Sequence, residues 1–200
     1  MNRQAHRVGM RHTVGAFLAA FAGVLSGCGS DESATPQREI PMPMMTGATP
    51  FIRPGLVQPP TESAEEAELE STEEVIGVSV GGVHRAYACS GMSSFSSKVI
   101  NDVIDGVPVT VTFCDRTRCA RAFTASAKGR PLDVQLGGWT GEKLMVLIDG
   151  RMLAQDSDEI PLQEMPIEKS TWSEWKEAHP DTDVFTDREH TRKPPAHRAE

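Results

Sequence analysis

From Val75 onward the chain carries short apolar runs rich in β-branched residues, broken by pairs that contain glycine. Val75–Val80 and Val83–Ala88 flank Gly81-Gly82. Val99–Ile104 and Val107–Phe113 flank Asp105-Gly106, and Leu144–Ile148 and Arg151–Ala154 flank Asp149-Gly150. Type I′ turns need positive φ at both central positions, which these pairs tolerate, so each unit predicts a β-hairpin. Arg121–Ala125 and Leu132–Leu136 read as two further strands around Lys128-Gly129, and Gly137–Gly141 as a turn with one packed aromatic, Trp139. One helix is expected. Thr171 and Glu174 have capping-box spacing, Trp172, Trp175 and His179 then share a face, and Pro180 ends the run. The expected fold class is mainly β: an antiparallel, hairpin-built sheet, as a sandwich or partly open barrel, with one C-terminal helix.

Upstream of Val75 the periodicity vanishes. Seven of the fourteen prolines fall between Gly29 and Glu74, followed by the acidic run from Thr61 to Glu74. Ser63 and Glu66 also have capping-box spacing, but like charges four apart oppose a helix there. Residues 28–74 are therefore expected to be a disordered, self-repelling, acidic Pro-rich tether. The domain is expected over 75–186, with a polar tail over 187–200.

The N-terminus reads as an address. Arg3, Arg7 and Arg11 precede an apolar stretch from Thr13 to Gly27. That stretch is shorter than the ~20 residues a membrane-spanning helix needs. Leu25-Ser26-Gly27-Cys28 resembles the lipobox of bacterial lipoproteins. The resemblance implies removal of residues 1–27 and acylation of Cys28, which would make the bilayer a partner. It places the protein in the cell envelope, facing the periplasm or exterior. Gly29 and Ser30 follow the cysteine, which by resemblance to sorting rules favours an outer membrane if the cell has one.

Loss of residues 1–27, with three arginines and no acidic residue, takes the formal net charge from −8 to −11. So acidic a surface repels phosphate backbones, and nucleic acid is not an expected partner.

The hairpins carry the sharpest chemical inference. A two-residue loop at Gly81-Gly82 pairs Val80 with Val83, Val78 with Arg85 and Ile76 with Tyr87, all on one face. Arg85 is the single charge there. A two-residue loop at Asp105-Gly106 pairs Ile104 with Val107, Asp102 with Val109 and Ile100 with Val111, and Asp102 intrudes in the same way. A lone buried charge is costly, so Arg85 and Asp102 are candidate partners across the core; bulges that turn each to solvent are the alternative.

In an oxidising envelope, Cys114 and Cys119 are first read as a disulfide that leaves Cys89 free, and second as a redox pair. Three cysteines without a nearby histidine make a poor zinc set, and neither metal nor cofactor is expected. His84 is expected in solvent and His179 at a helix C-terminus.

Ile76-Gly-Val, Arg85-Ala-Tyr, Asn101-Asp102, Gly106-Val-Pro-Val-Thr-Val-Thr-Phe-Cys114 and Ala120-Arg-Ala-Phe123 occur in one order, followed by Thr171-Trp-Ser-Glu-Trp and His179-Pro-Asp-Thr182. Together they resemble the bacterial domain of unknown function 3179 family. The resemblance implies a predominantly β envelope or secreted domain, implies no activity, and makes Asn101 a candidate polar site residue beside Asp102. The chain departs from the family's Cys-x-x-Cys: Thr117 stands in the second cysteine's place and Cys119 two positions later. Ser96-Ser97-Lys98 stands where many members carry a histidine.

The leading functional expectation is a lipid-anchored, non-enzymatic binding or assembly module for an envelope protein or small ligand. The alternative is a thiol-disulfide or other oxidoreductase using Cys114 and Cys119.

Overall fold

The computed structural model describes residues 51–126 and 129–187. The signal-like segment, Cys28, the proposed tether up to Pro50, Lys128 and the tail beyond Asp187 lie outside the described residues. In chain order the elements are β1 (Arg53–Pro54), β2 (Leu56–Val57), β3 (Glu62–Ser63), β4 (Glu74–Val80), β5 (Val83–Ala88), β6 (Val99–Ile104), β7 (Val107–Cys114) and β8 (Cys119–Thr124). They continue as β9 (Gln135–Trp139), β10 (Leu144–Ile148), β11 (Arg151–Ala154), β12 (Gln163–Met165), β13 (Glu168–Thr171), α1 (Trp172–Ala178) and β14 (Asp183–Phe185).

The three two-residue turns form where their composition places them. Gly81 and Gly82 have φ of 58° and 89°, Asp105 and Gly106 48° and 72°, and Asp149 and Gly150 48° and 77°. Positive φ at both positions matches the right-handed twist of the flanking strands. Val78 then faces Arg85 across β4–β5, and Asp102 faces Val109 across β6–β7.

The strands assemble into three sheets, ordered β1-β9-β10-β11, β12-β8-β7-β6-β2 and β13-β4-β5-β14-β3. The second sheet is the middle layer. Ile100, Ile104, Val109, Val111, Phe113 and Ala122 pack with Ile76, Val78 and Tyr87 of the third sheet. From the opposite face of the middle sheet, Val99 and Phe123 pack with Leu136, Val146 and Ile148 of the first. Alternate residues of β6 and β7 thus enter two different cores, which is why both strands are buried almost throughout. The outer face of the third sheet is closed by α1, whose Trp172 and Trp175 cluster with Val75, Ala86 and Val184. Gly77 permits that closure: a Cβ there would stand 2.1 Å from the Trp175 ring. The Thr171–Glu174 capping box is formed, and His179 caps the C-terminus.

Three expectations need correction. The segment 51–74 is part of the domain. β1 pairs with β9, β2 runs parallel to β6, β3 pairs with β14, and Ala64 is buried. Two-residue strands pair through backbone groups, so no side-chain period announces them. Ser63 and Glu66 do exchange capping bonds, but across a turn. Second, β8 and β9 belong to different sheets and do not form a hairpin. Third, Gly137–Trp139 is strand, with the turn at 140–143 and a register shift opposite Met145/Val146.

Candidate functional site

The charged intruders of the two hairpins meet between the second and third sheets. Arg85 Nη1 donates to Asp102 Oδ2 at 2.8 Å. The rest of the guanidinium forks onto Asp183, with Nε donating to Oδ1 at 2.8 Å and Nη2 to Oδ2 at 2.7 Å. Asp183 stands there because β14 runs parallel to β5 with Asp183 in register with Arg85. Tyr87, two residues along the same face, donates its hydroxyl to Asp102 Oδ2 at 2.8 Å. The Val103 amide donates to Asp102 Oδ1, and Thr61 donates its hydroxyl to Asp183.

The electrostatics follow from this layout. Two carboxylates share one guanidinium, and the Asp102 side chain is only 2% exposed. Burial opposes the charge of Arg85, but hydrogen bonds to Asp183 and Asp102 more than offset it, so its pKa is raised. Burial, reinforced by the Asp102 carboxylate, holds the Tyr87 hydroxyl well above its ordinary value. Tyr87 is thus a neutral donor at any physiological pH. Bidentate, charge-assisted bonds of this type fix geometry as well as energy. The cluster clamps β5 and β14 to β6.

Asn101 points to the other side of the middle sheet. Its Nδ2 donates to the Val134 carbonyl at 2.8 Å, and its Oδ1 accepts from the Thr110 hydroxyl at 2.7 Å. Gly55 presses against it, since a Cβ there would lie 2.4 Å from Asn101 Nδ2. The amide therefore bridges the middle sheet to the irregular segment leading into β9, and it does not share the Asp102 cluster.

Cys114 is a buried free thiol, as is Cys89. The disulfide expected between Cys114 and Cys119 is therefore not formed, although the two face each other across β7–β8. Both belong to the apolar cluster of Val99, Phe123 and Leu136, where Cys114 packs as a small hydrophobe. Cys114 is 1% exposed. Burial, with the nearby Glu73 charge, pushes the Cys89 thiol up to about 11, against a partial offset from Lys169. Lys98, in the region where the resemblance places a histidine, is buried and bonds the Ser93 carbonyl and Asp115.

A second polar group lies on the outer face of the third sheet. His84, expected in solvent, stacks on His179 with ring centroids 3.9 Å apart. Ser79 Oγ lies 2.8 Å from His84 Nδ1, and Trp175 packs 4.1 Å from the His179 ring. Trp175 is itself fixed by donating to Thr182, whose hydroxyl reaches the His84 carbonyl. These imidazoles line a cavity of about 340 Å³ with Gly82, Val83, Ala178, Pro180 and Asp181. Burial and the neighbouring His84 charge lower the pKa of His179, partly offset by Glu168.

Sequence reasoning missed Asp183, Tyr87 as a donor, and the histidine stack. Asp183 directly follows the His179–Thr182 motif, but its partner lies 98 residues away.

Fold and site together define a layered β domain with an internally paired ionic cluster and an imidazole-lined cleft. A family model described as "Protein of unknown function (DUF3179)" matches residues 52–197, and the chain belongs to that family. Neither the curated proteins nor the solved structures yield a match.

Proposed function

We propose that this chain is a lipid-anchored cell-envelope protein whose β domain is a non-enzymatic binding or assembly module. The observation that carries the module reading is the saturation of the Arg85 cluster. Each charged group there is held by protein partners, and a site built for turnover keeps such groups free to meet a substrate. The cleft at His84 and His179 is the contact face we assign to the module. It is concave, it lies outside the apolar cores, and its two imidazoles are fixed by packing. The anchor rests on the Leu25–Cys28 pattern and its basic, apolar leader.

Two experiments test the reading. Wild-type protein should incorporate a palmitate analogue and fractionate with membranes, whereas Cys28→Ala should not; equal labelling would overturn the anchor. Chemical cross-linking in intact cells, read by mass spectrometry, should give an adduct that is lost in the His84→Ala, His179→Ala variant. Adducts unchanged by that double substitution would remove the cleft from the proposal.

A further inference from the structure

At the end of the domain where the chain arrives from Cys28, two aromatic rings stand out of the surface. Phe51 is 43% exposed and Phe95 is 61% exposed, yet they touch edge to face with centroids 5.1 Å apart. Ile52, next to Phe51 in the chain, is 40% exposed. The Arg53 guanidinium lies 5.0 Å from the Phe51 centroid, whereas the Lys98 ammonium, 5.9 Å from that of Phe95, is buried and paired with Asp115. An exposed aromatic pair with an arginine beside it stands out on a protein whose formal net charge is −8. Its position is fixed, because Arg53 and Pro54 are already paired with Leu136 and Gln135.

We infer that this patch is a lipid-contact surface: Phe51, Ile52 and Phe95 rest in the headgroup boundary of the bilayer to which Cys28 is anchored. The inference rests on the lipid-anchor reading. Twenty-two residues lie between Cys28 and Phe51. A segment of that length reaches at most roughly 80 Å even fully extended, and it joins the domain at Phe51, so that end is the one tethered toward the membrane. Aromatic rings bury their apolar faces at such a boundary, while the Arg53 guanidinium remains available to phosphate groups. The acidic remainder of the surface is repelled by anionic lipid, which orients the domain with this patch toward the bilayer.

The test is site-specific photo-cross-linking in full-length, lipidated protein in native membranes. A p-benzoylphenylalanine side chain replaces Phe95 in one sample and Val83, the exposed apolar residue after the Gly81-Gly82 turn, in another. Lipid adducts should form several-fold more at position 95 than at position 83. Equal yields, or adducts at 95 to a second copy or another polypeptide, would overturn the lipid contact. Palmitate labelling of the same samples separates the two readings. Labelled protein without lipid adducts at 95 refutes the patch alone, while unlabelled protein refutes the anchor and the patch with it.

Discussion

Arg85 and Asp102 are seventeen residues apart in sequence, and each faces a valine across its own hairpin, yet Arg85 Nη1 lies 2.8 Å from Asp102 Oδ2. Asp183 makes the relationship a triad, and this makes the two ends unequal. Removing Arg85 leaves Asp102 as a carboxylate in an apolar core. Removing Asp102 leaves Arg85 still forked onto Asp183.

Arg85→Met is therefore expected to destabilise the domain by about 3–5 kcal/mol, the usual cost of an uncompensated buried charge. Asp102→Ala should cost less, roughly 1–3 kcal/mol, for the lost bonds from Tyr87 and the Val103 amide. Urea denaturation of both variants and the double variant checks this. Losses within ~0.5 kcal/mol of each other, or additivity in the double variant, would contradict the asymmetry.

Gly77→Ala tests the seat of the helix. The added Cβ meets the Trp175 ring, which is buried and hydrogen-bonded to Thr182, so neither side yields easily. Overpacking at such a site costs about 1–3 kcal/mol. Thermal unfolding measures the loss, and tryptophan fluorescence should shift as the indole is displaced. A variant of wild-type stability and spectrum would show that α1 can slide on β4.

The hairpins and the Arg85–Asp102 relationship were legible because both are local. Glycine pairs that accept positive φ set the register, and register assigns each side chain a face. What stayed hidden depends on long-range backbone pairing. Asp183 reaches Arg85 through a parallel strand pair with no hairpin to announce it. β1, β2 and β3 are two residues each, too short for any period, and proline and acidic composition pointed toward a tether. β9 was misread because Gly137 and Gly138 look like a turn, whereas Gly137 makes room for Met152 above the sheet. The histidine stack joins residues on β5 and at the end of α1, whose docking depends on Gly77.

Limited proteolysis should reflect the corrected boundary. Residues 51–74 contribute strands to all three sheets, and Lys176 Nζ bonds the Ala64 carbonyl. The smallest resistant fragment, sized by mass spectrometry, should retain Phe51 through Glu74. A stable core beginning near Val75 would mean that these short strands do not hold in solution.

His179 gives the domain a pH dependence of defined sign. Its imidazole stacks on His84 beside Trp175, and burial together with the His84 charge lowers its pKa despite the opposing Glu168. A histidine whose folded pKa is depressed favours the neutral form in the native state. The stability it contributes is present above its unfolded value near 6.5 and is lost as pH falls through the folded value. Asp115 and Glu174 are also held below their ordinary values, by Lys98 and by the Thr171 cap, but carboxylates titrate in a more acidic window. Removing the imidazole should therefore isolate one step. Melting temperatures of wild type and His179→Gln are compared from about pH 7.5 to about pH 5, the range in which a histidine changes charge. The wild type should lose more stability than the variant over that interval, and His84→Gln should also flatten its curve by removing the facing charge. Parallel curves for wild type and both variants would show that the stacked pair does not resist protonation, and α1 would then remain seated on the third sheet in acid.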